Sequence, residues 1–260
     1  MLFPIADDNT GRTITPVVNY VLIAINVLVF VFLQGFGSND KFTYAYSTVP
    51  AEIVTGRDIV TRPVAIQNFT GQRIEMPGLQ PTPIPVYLTL ITSMFMHGGI
   101  AHIFGNMLFL WIFGDNIEDR LGHVRYLIFY FVCGIIAGLS HVFATAMLAS
   151  DPSSLLVPSL GASGAISGIL GAYLVLYPRV RVRMLFFFII FFKVIPIPAW
   201  LVLIWWFFWQ LVAALPELKN GADLTGGVAV WAHLGGFVTG VLLVKLFENR
   251  SLVVRRTSVV

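Results

Sequence analysis

VAVWAHLGGFVTGVLLVKLF, residues 228–247, is a run of twenty residues with two ionisable side chains, His233 near its start and Lys245 near its end. About 20 apolar residues are what a helix needs to cross the ~30 Å hydrocarbon core of a bilayer. Hydrocarbon leaves no partner for a free backbone N–H or C=O, so a segment of this kind is helical. Gly236 and Gly240 follow His233 at spacings of three and seven and share its helical face. The stretch therefore reads as a membrane span that offers a neighbouring helix one imidazole and a strip without side chains.

Working outward from it, the same criterion predicts further spans at Val17–Gln34, Ile100–Gly114, Tyr126–Leu148, Ser163–Tyr177 and Trp200–Leu215. Composition agrees: 57% of the residues are hydrophobic, 11% are charged and the mean hydropathy is +0.83. A soluble domain carries about 25% charged residues, so a water-soluble globule is excluded. The predicted fold is an all-α membrane protein, a six-helix bundle with a long loop between the first and second spans. Residues 1–16 are expected to be a cytoplasmic segment, 17–247 a membrane domain with an extramembrane loop over 35–85, and 248–260 a cytoplasmic tail. A further apolar run, 184–197, is short, is interrupted by Lys193 and carries Pro196, with Pro198 following; it reads as interfacial or re-entrant. Met1–Arg12 includes Asp7 and Asp8 and lacks a basic region before an apolar stretch, so the first span is expected to be retained, not cleaved. Cys133 is the lone cysteine and reads as a small packing residue.

Basic residues orient the bundle. Arg12 precedes the first span, and Lys245, Arg250, Arg255 and Arg256 lie at or beyond the end of the last. Arg120 and Arg125 join the second span to the third, and Arg179, Arg181 and Arg183 follow the fourth. The third-to-fourth connection has no Lys or Arg, and the fifth-to-sixth has only Lys219. Both termini are thus expected to be cytoplasmic. The net charge of +3 is small and means little by itself; the lipid bilayer is the expected partner, and no nucleic acid is expected.

Polar groups inside spans are costly and are functional candidates by default. The notable ones are His102, Asn106, His141, Ser163, Ser167 and His233. At ~1.5 Å of rise per residue, Ser163 lies sixteen residues or ~24 Å from Arg179, His233 fifteen or ~22 Å from Glu248, and His102 sixteen or ~24 Å from Glu118. Three groups on three helices thus reach one depth. Singly, each has an ordinary reading: a buried Ser bonds back to its helix, and a buried His or Asn joins two spans. Together they suit acyl transfer. A serine hydroxyl needs a base, and histidine titrates in the useful range. The outer half of the spans offers no Asp or Glu to orient His233, so the pair reads as a dyad. His102 and Asn106, four residues apart on one face, are donors that with the Ser163 N–H would form an oxyanion hole. Gly164 and Gly168 after the serine face the glycines after His233 across a small-xxx-small contact.

Rival motifs fail on their residues. Gly161-Ala162-Ser163-Gly164-Ala165 ends in Ala and follows no strand, unlike a nucleophile elbow. His97 and His102 do not form the H-E-x-x-H of zinc proteases, and the Gly98-Gly99 turn separates them. His97 reads as a cap for the second span, His123 as a solvated loop residue and His141 as an interhelical hydrogen-bonder. Transport is the alternative chemistry, but neither paired repeat halves nor a ring of charges is present.

The motifs His97-Gly98-Gly99 with His102-x-x-x-Asn106, then Gly161-Ala162-Ser163-Gly164, then Ala232-His233-x-x-Gly236-x-x-x-Gly240 resemble the signatures of the rhomboid family of intramembrane serine proteases. They arrive in the family's order, and the likeness runs from Pro4 and Asp7-Asp8 to the sixth span. The resemblance implies Ser163 as nucleophile, His233 as base, and His102 and Asn106 as oxyanion stabilisers. It also implies a six-helix core open to water from the outer side, no metal or cofactor, and single-pass transmembrane proteins as substrates. A non-catalytic rhomboid-like protein would be expected to have lost Ser163 or His233. Two departures stand out. Ser167 occupies the position where many relatives stack an aromatic ring on the imidazole, and the first loop lacks their Trp-Arg pair.

Overall fold

The computed structural model describes residues 2–67, 73–148, 151–188, 191–220 and 229–249. The chain begins with β1 (Leu2–Ala6) and continues into α1 (Val17–Leu28), which runs on as a π turn through Leu33. The segment 35–85 holds two short helices, α2 (Asp40–Ala45) and α3 (Pro50–Thr55), and a hairpin of β2 (Val64–Gln67) with β3 (Arg73–Met76). A compound turn built round α4 (Thr89–Thr92) leads into α5 (Ile100–Leu121) and α6 (His123–Leu148). Then come α7 (Ser163–Leu176), β4 (Arg181–Phe188), β5 (Phe191–Pro198), α8 (Ala199–Asn220) and α9 (Val230–Phe247). Among the described residues α5, α6 and α9 are long and apolar enough to cross a membrane; Val17–Leu33, Ser163–Leu176 and Ala199–Leu215 are shorter apolar helices.

The molecule is mostly helical but not all-α, which corrects the expectation from sequence. β1, β4 and β5 form one antiparallel sheet in the order β1-β4-β5, with Met184 opposite both Pro4 and Ile195. Most of the run 184–197 belongs to a β-hairpin. Its β-branched and aromatic residues favour a pleated strand, and alternation is visible at its start. Val182 and Met184 are buried, whereas Arg181 and Arg183 are exposed. Pro196 and Pro198 lack an N–H but lie on an edge strand, where a missing donor is tolerated. The tail beyond residue 249, with Arg250, Arg255 and Arg256, and the 221–228 connection lie outside the described residues, as does the side chain of Lys219.

α5 runs seven residues past Gly114, the end expected from hydropathy. The extension carries Asp115, Asn116, Glu118 and Asp119, all buried. Burial of such groups requires partners, and the N-terminal segment supplies them. Arg12 donates to Asp115 Oδ2 at 2.6 Å, and the backbone N–H groups of Thr13 and Ile14 donate to Asp119 Oδ1 at 2.8 Å each. Glu118 accepts from the N–H groups of Val18 (2.9 Å) and Asn19 (2.7 Å), so a carboxylate from another helix caps the positive end of α1. His123 is not a free loop residue: it opens α6 and its Nδ1 lies 2.5 Å from Glu118 Oε1.

α6, α7 and α9 pack at the centre, and their closeness follows from small residues. A Cβ on Gly236 would run into the carbonyl of Gly164, and one on Gly240 into the carbonyl of Gly168. Cys133, wholly buried on α6, fills the space over Gly168. Close backbone approach of this kind is how helices associate where lipid provides no hydrophobic drive. It brings the first turns of α7 and α9 side by side.

Candidate active site

α7 starts at Ser163, and Ala162 before it provides no side-chain cap. The first N–H groups of a helix have no partner within it and carry the positive end of its dipole. The chain reaches this point through Gly161, whose φ of +123° is accessible to glycine at little cost. Gly161 is held by its N–H, which donates to the Ser93 carbonyl at 2.9 Å. Two residues earlier in the approach, Ser159 and Thr48 exchange backbone hydrogen bonds of 2.8 and 3.0 Å. The residues that lead into the nucleophile candidate are thus held by backbone hydrogen bonds to Ser93 and Thr48.

Ser163 and His233 are brought together: Ser163 Oγ lies 2.8 Å from His233 Nε2. The other ring nitrogen, Nδ1, lies 2.9 Å from Oε1 of Gln210 on α8. Trp206, one turn before Gln210, stands with its ring centre 6.0 Å from the imidazole at 42°. Ser167 takes no part in holding the ring. Its hydroxyl donates to the Ser163 carbonyl at 2.7 Å, the ordinary back-bond of a helical serine.

His102 and Asn106 are also brought to this place. The Gly98 N–H donates to His102 Nδ1 at 3.3 Å, which makes Nδ1 the acceptor and leaves Nε2–H as a donor. A Cβ on Gly161 would sit 2.8 Å from that Nε2 and 3.7 Å from Asn106 Nδ2, so both donors converge beside the residue two before Ser163. Asn106 is buried, and its Nδ2 has no hydrogen-bond partner among the described residues. An unsatisfied buried donor costs about 1–3 kcal/mol, which an arriving acceptor would relieve. These side chains line a cavity of about 850 Å³ that also reaches Tyr44, Phe109 and His141.

One expectation is not met. His97 does not cap α5, whose cap residue is Gly99 without a side-chain bond; instead the Gln34 amide clasps the His97 backbone, at 2.9 and 3.0 Å. His141 lines the cavity with an Nδ1 that has no partner among the described residues, and so does not join two helices through that atom. Gln210 and Trp206 were missed. The signal for Gln210 was present, because an amide inside the apolar run 200–215 is costly for the same reason as Asn106. Trp206 is one aromatic among many in that run, and nothing local distinguishes it.

A sequence model of the Rhomboid domain matches residues 85–250, which include Ser163, His233, His102 and Asn106. The chain belongs to the rhomboid family. Rhomboid protein 1, mitochondrial, of Saccharomyces cerevisiae is 30% identical over 167 residues, covering 63% of this chain and 43% of that protein. Presenilin-associated rhomboid-like protein A, mitochondrial, of Danio rerio is 34% identical over 161 residues, 59% of this chain and 36% of its own length. Rhomboid protease GluP of Bacillus subtilis is 41% identical over 86 residues, 33% of this chain and 15% of that protein. The chain thus spans less than half the length of each of these relatives. With its apolar helices, the rhomboid-family chain is an integral membrane protein.

Proposed function

We propose that this rhomboid-family protein is an intramembrane serine endopeptidase that cuts single-pass membrane proteins in or near their transmembrane segments. The observation that carries the reading is the 2.8 Å contact between Ser163 Oγ and His233 Nε2 within a cavity lined by Asn106, whose Nδ2 has no partner among the described residues. In the first step His233 Nε2 takes the hydroxyl proton while Ser163 Oγ attacks the scissile carbonyl carbon. The carbonyl oxygen becomes an oxyanion that accepts from His102 Nε2–H, Asn106 Nδ2–H and the Ser163 N–H. Collapse breaks the C–N bond, and the imidazolium returns its proton to the leaving amine. Water, deprotonated by the same imidazole, then releases the acyl group from Ser163. No metal or cofactor is required.

The topology proposed for this activity is six spans, with the shorter helices α1, α7 and α8 joining α5, α6 and α9, the loop 35–85 outside the membrane, and both termini cytoplasmic. α7, with fourteen residues, is ~21 Å long, about 9 Å short of a ~30 Å core. A helix so short starts below the membrane surface, and its first residue is Ser163. The site then opens to the outer side, where water for the second half-reaction is available.

Purified protein in liposomes is expected to cleave a single-pass substrate and to be labelled by a fluorophosphonate at Ser163. Ser163→Ala is expected to lose both while retaining the helical content of the parent. Cleavage by Ser163→Ala at the parent's rate would sink the assignment, whereas binding of single-pass clients without cleavage by the parent would identify a non-catalytic member.

A further inference from the structure

His233 receives the Ser163 hydroxyl at Nε2 only in the tautomer that carries its proton on Nδ1. Something must accept that proton in a hydrogen bond, and histidine bases commonly use a carboxylate for it. Here the group at that position is an uncharged amide, with Gln210 Oε1 2.9 Å from Nδ1. Among the described residues, Gln210 and Ser163 are the hydrogen-bond partners of the His233 ring. Ser167 is committed to its own helix, so the position that carries a stacking aromatic in many relatives contributes nothing to the imidazole. The supports come from α8 instead. Gln210 and Trp206 are four residues apart and lie on one face, the amide at the edge of the ring and the indole beside it. On the rest of α8, Trp205, Phe208 and Trp209 are exposed.

We infer that Gln210 is a positioning residue for His233, holding the Nδ1–H tautomer and the ring plane so that Nε2 faces Ser163. This rests on the protease reading above and deepens it. The amide oxygen accepts from Nδ1–H before and after the proton arrives at Nε2. Being neutral, it does not supply the opposite charge that would stabilise the imidazolium. Its contribution is orientation, and the base is consequently left without electrostatic help from that side. A carboxylate at position 210 would accept the same hydrogen bond and add a charge that favours the protonated ring.

The test compares the parent, Gln210→Ala, Gln210→Glu and Ser163→Ala on a fluorogenic single-pass substrate across pH, with unfolding temperature recorded for each. Gln210→Ala is expected to lower kcat about 10- to 100-fold, as loss of an orienting partner does for ligand histidines, with KM within about twofold. Gln210→Glu is expected to remain active, with the acidic limb of its kcat/KM profile moved up by about one pH unit or more, since an adjacent opposite charge shifts a pKa by 1–3 units. A structural role in packing α8 would change unfolding temperature and leave that limb in place. Unchanged kcat in a folded Gln210→Ala overturns the inference. If Gln210→Ala does not fold, the near-isosteric Glu variant decides, and an unmoved acidic limb overturns it. Cleavage by Ser163→Ala would instead bring down the protease reading, whatever the Gln210 variants do.

Discussion

The imidazole of His233 sits between a hydroxyl at 2.8 Å and an amide oxygen at 2.9 Å, and each contact uses a different ring nitrogen. Opposite it, His102 and Asn106 present donors that nothing in the described residues occupies on the cavity side. Donors aimed in advance at a developing charge need no reorganisation when it appears, and losing one costs ~10²–10³ in kcat. Asn106→Ala is therefore expected to lower kcat by about that factor with little change in KM, measured on the purified protein. His102→Ala should fall at least as far, because the Gly98 N–H then loses its acceptor as well. An undiminished kcat in both variants would remove them from the oxyanion role. At this scale Ser163, His233 and His102 were legible in the sequence because each is a polar residue at a shared depth in an apolar run, and Asn106 because it shares a helical face with His102. Gln210 obeys the same rule but stands in the aromatic-rich run of α8, where no partner motif drew attention to it.

Helices were legible where apolar runs were long, and their ends were not. α5 was expected to stop at Gly114 because Asp115, Glu118 and Asp119 look like a boundary; they are buried against partners a hundred residues away in the chain, which hydropathy does not register. The β4–β5 hairpin was missed because its arginines read as a membrane-edge loop, although Arg-Val-Arg-Met alternates with the period of a strand. The contact of α7 with α9 was anticipated from glycines, and it is backbone against backbone. Gly240→Ala would drive its methyl into the Gly168 carbonyl, a clash no rotamer relieves. Its expected cost is ~1–3 kcal/mol of stability, read as a lowered unfolding midpoint in detergent. Gly105→Ala makes the contrast. Nothing lies within 4 Å of that added Cβ, and removing a helix-interior glycine is expected to raise stability by up to about 1 kcal/mol. Equal effects of the two would show that the α7–α9 contact is slack.

Across the whole molecule, the end opposite the site is held by a polar cluster that ties the N-terminal segment to α5 and α7. Asp7 is its centre, accepting from Tyr173 and from Asn116, each at 2.6 Å. Burial raises the Asp7 carboxyl above 3.8, against the pull of those two hydrogen bonds. A carboxyl that titrates higher when folded contributes stability below its unfolded value and loses it as pH rises through the folded one. Asp7→Asn keeps an oxygen acceptor and cannot ionise. Its unfolding midpoint is expected to gain on the parent's as pH rises from about 3 to 7, and a gap that widens toward acid instead would reverse the sign. The sequence marked Asp7 only as part of a motif, since its partners lie 109 and 166 residues away. Distance along the chain has one further consequence, in time. The Glu118 carboxylate that closes the first turn of α1 is encoded 100 residues after Val18. At about 5–20 residues per second that interval is ~5–20 s of synthesis. During it, two N–H groups in the first turn of α1 are without the acceptor that α5 later supplies.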